Sequence, residues 1–120
     1  MSESQLLKSC MERLWHERSW ITIDRVNCGQ VTVKFKGNAR VFRGCKPGTG
    51  DMMGYMAPNG RHVELEAKWG KNKQEDTQKA RQADIEAKGA VYRLIRSPED
   101  LQAFIAEFKP CSRSSVLNVS

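Results

Sequence analysis

Apolar residues recur at helical spacing from the start of the chain. Leu7, Cys10 and Leu14, with Leu6 and Met11 widening the stripe, predict an amphipathic helix over residues 3–18. Ser2 and Gln5 resemble a capping box at its start, and Glu3 is an acid one turn before Leu7 on the apolar stripe. From Trp20 the period shortens to two. "WITIDRV", "VTVKFK" and "ARVFRG", separated by "NCGQ" and by Gly37 and Asn38, predict an antiparallel hairpin or a short meander. "CKPGTG" reads as a loop, "DMMGYM" as a short strand, "PNG" at 58–60 as a tight turn, and "RHVELEAK" as a strand that Gly70 ends.

Between Lys73 and Lys88 the pattern is helical again, with early acids, late bases and Gly89 as the stop. Its apolar side is read as Ala80, Ala83 and Ala87 with Ile85, small enough to let the helix approach a sheet closely. "AVYRLIR" is expected to be an interior strand. Ser97 as N-cap and Pro98 at the first helical position open a last helix whose buried stripe is Leu101, Phe104, Ile105 and Phe108. The order helix, antiparallel strands, helix, strand, helix contains one βαβ crossover between residues 61 and 96. It predicts an α/β fold, a mixed β-sheet flanked by helices. The 120 residues suffice for one domain, placed at 1–109, with a tail at 110–120.

Composition narrows the field. No run of about 18 apolar residues exists and the N-terminus lacks the layout of a signal peptide, so a cytoplasmic protein without membrane contact is expected. Cys10, Cys28, Cys45 and Cys111 form no CxxC pair, and four reduced structural thiols are expected. His16 and His62 stand in no metal-ligand pattern and are assigned surface or capping roles; Trp15, Trp20 and Trp69, near element ends, are assigned mainly to the core. The net charge of +6 favours an anionic partner.

One strand is unusual. Side chains two apart on a strand share a face at about 6.6 to 7 Å, so Glu64, Glu66 and Lys68 lie on one side and Val63, Leu65 and Ala67 on the other. Three charges on one face point either to a wet sheet edge or to a divalent metal site. In the second case Asp51, Glu66 and the carbonyl of Ala67 form an oxygen-rich half-shell suited to Mg²⁺ or Mn²⁺. Lys68 would then orient or activate a water and offset charge that builds on a phosphate.

Asp51, the E-x-K unit Glu66-Ala67-Lys68, a helix containing Gln78, then Gly89 and "VYRLIRSPEDL", resemble the VRR-NUC family of the PD-(D/E)XK nuclease superfamily. "RVNCG" at 25–29 and "GCKPGTGD" at 44–51 extend the resemblance over roughly residues 25–108. Gly50 departs from the pattern, standing where the superfamily carries proline, which implies a softer approach to Asp51.

The resemblance implies a restriction-endonuclease-like sheet, metal ligands at Asp51 and Glu66, a catalytic Lys68 and a supporting Gln78 that orients water or substrate. Glu3 is similar to an acid that completes the metal shell in related nucleases; the other reading is a solvated first-turn glutamate. Glu64 is either an outer acid behind the site or a wet edge residue. The implied activity is Mg²⁺- or Mn²⁺-dependent cleavage of branched DNA, of the Holliday-junction type, by a homodimer. Arg43, Lys46, Lys71 and Lys73 flank the site in sequence and are candidates for phosphate contacts. Two other readings stand beside it: a basic nucleic-acid-binding module that retains the fold without cutting, and a nuclease acting on RNA or unbranched DNA ends.

Overall fold

The structure, a computed structural model, describes residues 1–26, 30–43 and 45–111, with the backbone alone described for 30–35 and 40–43. The "NCG" turn and the tail beyond Cys111 therefore lie outside the described residues.

Helix α1 (Glu3–Trp15) opens with the expected capping box, in which Ser2 Oγ accepts from the Gln5 N–H and Gln5 Oε1 from the Ser2 N–H. It ends three residues before the sequence pattern suggested, and Trp15 is 64% exposed with Arg18 stacked over its ring. Trp20 is buried, donating its indole N–H to Glu17, and Trp69 is half-buried against the core.

Strands β1 (Ile21–Arg25), β4 (Met52–Met56), β5 (Arg61–Ala67) and β6 (Val91–Ile95) form one mixed sheet in the order β1-β4-β5-β6. β1 and β4, and β4 and β5, run antiparallel; β5 and β6 run parallel. β2 (Gln30–Phe35) and β3 (Asn38–Arg43) form a separate two-stranded ribbon around the Lys36–Gly37 turn, both at positive φ. The ribbon is the expected antiparallel hairpin, whereas the alternative, a meander that includes β1, is corrected. β1 pairs with β4, and the ribbon is an excursion between them. Among the described residues β6 is also an edge strand rather than an interior one, although Val91, Tyr92 and Ile95 are buried under the helices.

One face of the sheet carries Met52, Met56, Val63, Leu65, Ala67, Val91 and Ile95, which join Leu6, Leu7, Cys10 and Leu14 of α1 and Leu101, Phe104 and Ile105 of α3 (Pro98–Phe108) in the hydrophobic core. Ser97 caps α3 as expected. Helix α2 (Asp76–Ala87) links β5 to β6 and bonds to the face that carries Glu64 and Glu66. Its inward side differs from the expected one: Ala80, Ala83 and Ala87 are exposed, whereas Gln78 and Ile85 are buried. That face is polar, so hydrophobic periodicity points away from it. The result is a mixed α/β fold, three helices flanking a four-stranded mixed sheet, compatible with a restriction-endonuclease-like architecture. Among the described residues no helix is long and apolar enough to cross a membrane. Cys10 is a buried free thiol and Cys111 an exposed one, but Cys45 is disulfide-bonded, which corrects the expectation of four reduced cysteines.

Candidate active site

β5 lies between two hydrogen-bonded neighbours, so charges along it cannot be those of a wet edge. Glu64 is 0% exposed and Glu66 5%. A buried carboxylate must be compensated by hydrogen bonds or opposite charge, and the two acids are compensated differently.

Glu66 faces Asp51, which precedes β4. The Asp51 N–H donates to Glu66 Oε2 at 3.1 Å, and Asp51 Oδ2 accepts from the Ala67 N–H at 2.9 Å. These two bonds close a ring between the loop and the end of β5, fixing Asp51 beside Glu66. Ala67 sits between Glu66 and Lys68 as the last residue of β5. The Lys68 amine lies 4.0 Å from Glu66 Oε1, and its backbone N–H is anchored on Ile95 of β6.

Gln78 is buried and both ends of its amide are committed. Nε2 donates to Glu66 Oε1 at 2.8 Å, and Oε1 accepts from the Glu75 N–H as part of the α2 cap. In this structure the side chain holds Glu66, the contact through which it would support the site.

Burial, then the charge of Asp51, raises the Glu66 carboxyl to about 8, with Lys68 opposing the rise. Glu3, Arg25, Asp51, Glu66 and Lys68 line one cavity of about 230 Å³, with Ser4 and Leu7 of α1 completing its wall. Four of the residues singled out in the sequence therefore converge from α1, the loop before β4, and β5. Arg25, at the end of β1, was noted only within the resembling segment 25–29 and not as a site residue. Only the pairing of β1 with β4 brings it there.

The donors suit a hard divalent cation. Asp51 and Glu66 supply two carboxylates, and Glu3 faces the same space. Among the described residues no three His, Cys, Asp or Glu groups stand close enough to hold a metal by themselves, so a cation here would need oxygens from elsewhere as well.

Glu64 is neither a wet residue nor available to an ion. Arg81 of α2 donates to both its oxygens (Nη2 at 2.6 Å, Nε at 3.2 Å), the Gly50 N–H donates at 3.1 Å, and His62 Nε2 lies 2.6 Å away. Burial pushes its pKa up, but Arg81, His62 and Gly50 outweigh burial and leave it lowered. His62, with 39% of its side chain exposed, keeps a surface position while its ring bonds a buried acid. The same geometry accounts for Gly50: a Cβ there would come within 2.9 Å of the Leu65 carbonyl and 3.2 Å of Glu64 Cβ, and proline would remove the N–H that Glu64 accepts. The approach to Asp51 is therefore held by Glu64, and the softening expected from the missing proline is offset. Gly48, at φ +84°, packs against the Thr77 carbonyl of α2, where a Cβ would stand only 2.0 Å away, and its own carbonyl accepts from the Tyr92 hydroxyl.

The basic residues are less focused. Lys46, Lys71 and Lys73 are exposed; Lys46 borders a separate hollow with Thr77 and Arg81, and the side chain of Arg43 lies outside the described residues. No known family model matches the chain, and no curated protein is significantly similar to it.

Proposed function

We propose that this protein is a Mg²⁺- or Mn²⁺-dependent endodeoxyribonuclease that hydrolyses phosphodiester bonds in branched DNA of the four-way-junction type, acting as a homodimer and belonging to the VRR-NUC family. The observation that carries the nuclease reading is the meeting of Asp51, Glu66 and Lys68 around a single cavity into which Glu3 also faces. A bound cation would neutralise phosphate charge and polarise the scissile group. Asp51 and Glu66 would hold that cation, each kept in place by backbone or amide donors. The Lys68 amine would orient the attacking water and offset negative charge gathering on the phosphate, and Arg25 would offer a second cation to the substrate at the same cavity. The junction preference and the homodimer rest on the resemblance.

Charge distribution supports a polyanionic substrate. Residues 25–50 hold six Lys and Arg and no Asp or Glu, leaving fourteen of each sign over the rest of the chain. The whole net charge thus lies in the segment that leaves β1 at Arg25 and returns at Asp51, both on the cavity.

The test is incubation with labelled four-way, flap, single-stranded and duplex DNA, and with RNA, in Mn²⁺ or in EDTA. Metal-dependent cutting of the four-way junction is expected, falling at least about 100-fold in Asp51→Ala, Glu66→Ala and Lys68→Ala. Binding without cutting in any metal would sink the nuclease reading in favour of a non-catalytic binding module, and preferential cutting of RNA or duplex ends would displace the junction assignment.

A further inference from the structure

We infer that Glu64 is a positioning residue: through the Gly50 N–H it fixes the backbone from which Asp51 enters the site, and Arg81 ties that arrangement to α2. The inference rests on Asp51 being a metal ligand, as proposed above.

Two successive loop amides are received by alternate carboxylates of one strand face: Gly50 N–H by Glu64 Oε1 and Asp51 N–H by Glu66 Oε2, each at 3.1 Å. Their roles separate on oxygen capacity. A carboxylate has about four acceptor sites. In Glu64 four donor contacts fill them, two from Arg81, one from Gly50 and one from His62, and the side chain is shut off from solvent. Glu66 receives Gln78 on one oxygen and Asp51 on the other, retains acceptor capacity, and lines the cavity that Glu64 does not reach. Glu64 therefore acts behind the site. A rotation about the bonds flanking Gly50 would carry Asp51 Oδ2 away from the Ala67 N–H and break the ring that aims it; the Glu64 bond opposes that rotation.

The experiment compares wild type, Glu64→Gln and the double variant Glu64→Met with Arg81→Met. The double variant exchanges a buried ion pair for apolar side chains of similar volume, a change that can leave stability near neutral, while removing the grip on Gly50. Three quantities are read: Mn²⁺ affinity by electron paramagnetic resonance, amide hydrogen exchange at Gly50 and Asp51 in EDTA, and the urea midpoint. Expected are a roughly 10- to 100-fold loss of Mn²⁺ affinity in the double variant, a smaller loss in Glu64→Gln, which keeps an acceptor oxygen for Gly50, and faster exchange confined to residues near 50 and 51. Unchanged Mn²⁺ affinity in a folded double variant, or unchanged exchange at Gly50 and Asp51, overturns the inference, as does faster exchange spread evenly over the sheet. A wild-type protein that binds no Mn²⁺ instead overturns the metal-site reading, and the positioning role falls with it.

Discussion

In EDTA, raising the pH from about 5 to about 8 should destabilise this protein, and Mn²⁺ should reverse the loss. The cause is the Glu66 carboxyl, which burial and the neighbouring charge of Asp51 raise from 4.5 to about 8. Between those values the folded chain keeps a proton that the unfolded chain has released, so unfolding becomes easier as pH rises through the window. The contribution is fully present below about 4.5 and is lost as pH passes the folded value. At about 1.4 kcal/mol per unit the full shift would amount to several kcal/mol. Adjustment of Lys68, 4.0 Å away, and water entry from the cavity should reduce this, leaving about 2 kcal/mol between about pH 5 and about pH 8. Glu17, lowered to about 2 by Arg13 and Trp20, and Glu64, also lowered, add only a small slope of opposite sign near pH 5, where the unfolded groups finish ionising, and none above it. Urea denaturation at the two pH values measures the effect, with Glu66→Gln, which cannot titrate, as control. Mn²⁺ at roughly a hundred times its Kd should add about 2.7 kcal/mol to the wild type and much less to the variant. A Glu66→Gln slope equal to that of wild type would refute the reasoning.

Two further outcomes can be checked independently. Gly50→Pro, which installs the residue the resemblance calls for, removes the N–H held by Glu64 and sets a ring against the Leu65 carbonyl, so a loss of about 2 to 3 kcal/mol in urea unfolding is expected. A variant as stable as wild type would show that Glu64 does not hold this loop. In metal-free DNA binding, changing Lys34, Arg40 and Arg43 to Gln should flatten the dependence of log K on log salt by up to about 0.9 for each phosphate left without its cation, whereas changing Lys8, Lys79 and Lys88 should leave it unaltered. Equal slopes for the two triple variants would remove the charge segment from the binding account.

The chain's own pattern determined much of the architecture. Helical spacing in α1 and α3, the caps at Ser2 and Ser97, and the alternation in β5 are local rules written in adjacent residues, and the structure contains each of them. The alternation also separated Val63, Leu65 and Ala67 from Glu64 and Glu66. What misled was any feature whose partner is distant. The strand order depends on β4 returning to β1 rather than on sequence neighbours, so of the two alternatives the local β2–β3 hairpin held and the meander did not, and the interior placement of β6 failed as well. α2 failed as an apolar helix because it meets the sheet through Gln78 and Arg81.

The same division holds at the site. Asp51, Glu66 and Lys68 were singled out by the alternation of charge on β5 and by the resemblance, and Glu3 as a ligand by the resemblance alone, but their convergence needed three segments, α1, the loop before β4 and the end of β5, to close around one space. Arg25 entered only as part of the resembling segment 25–29, with no role given to it, and Arg81 gave no signal, since an arginine in a helix reads as surface until a buried acid is seen opposite it. Glu64 could be read either way from sequence alone. Tertiary structure decided it, because whether a carboxylate is solvated, ligand-bearing or structural depends on which donors reach its oxygens, and here those donors come from a loop fourteen residues earlier and a helix seventeen residues later.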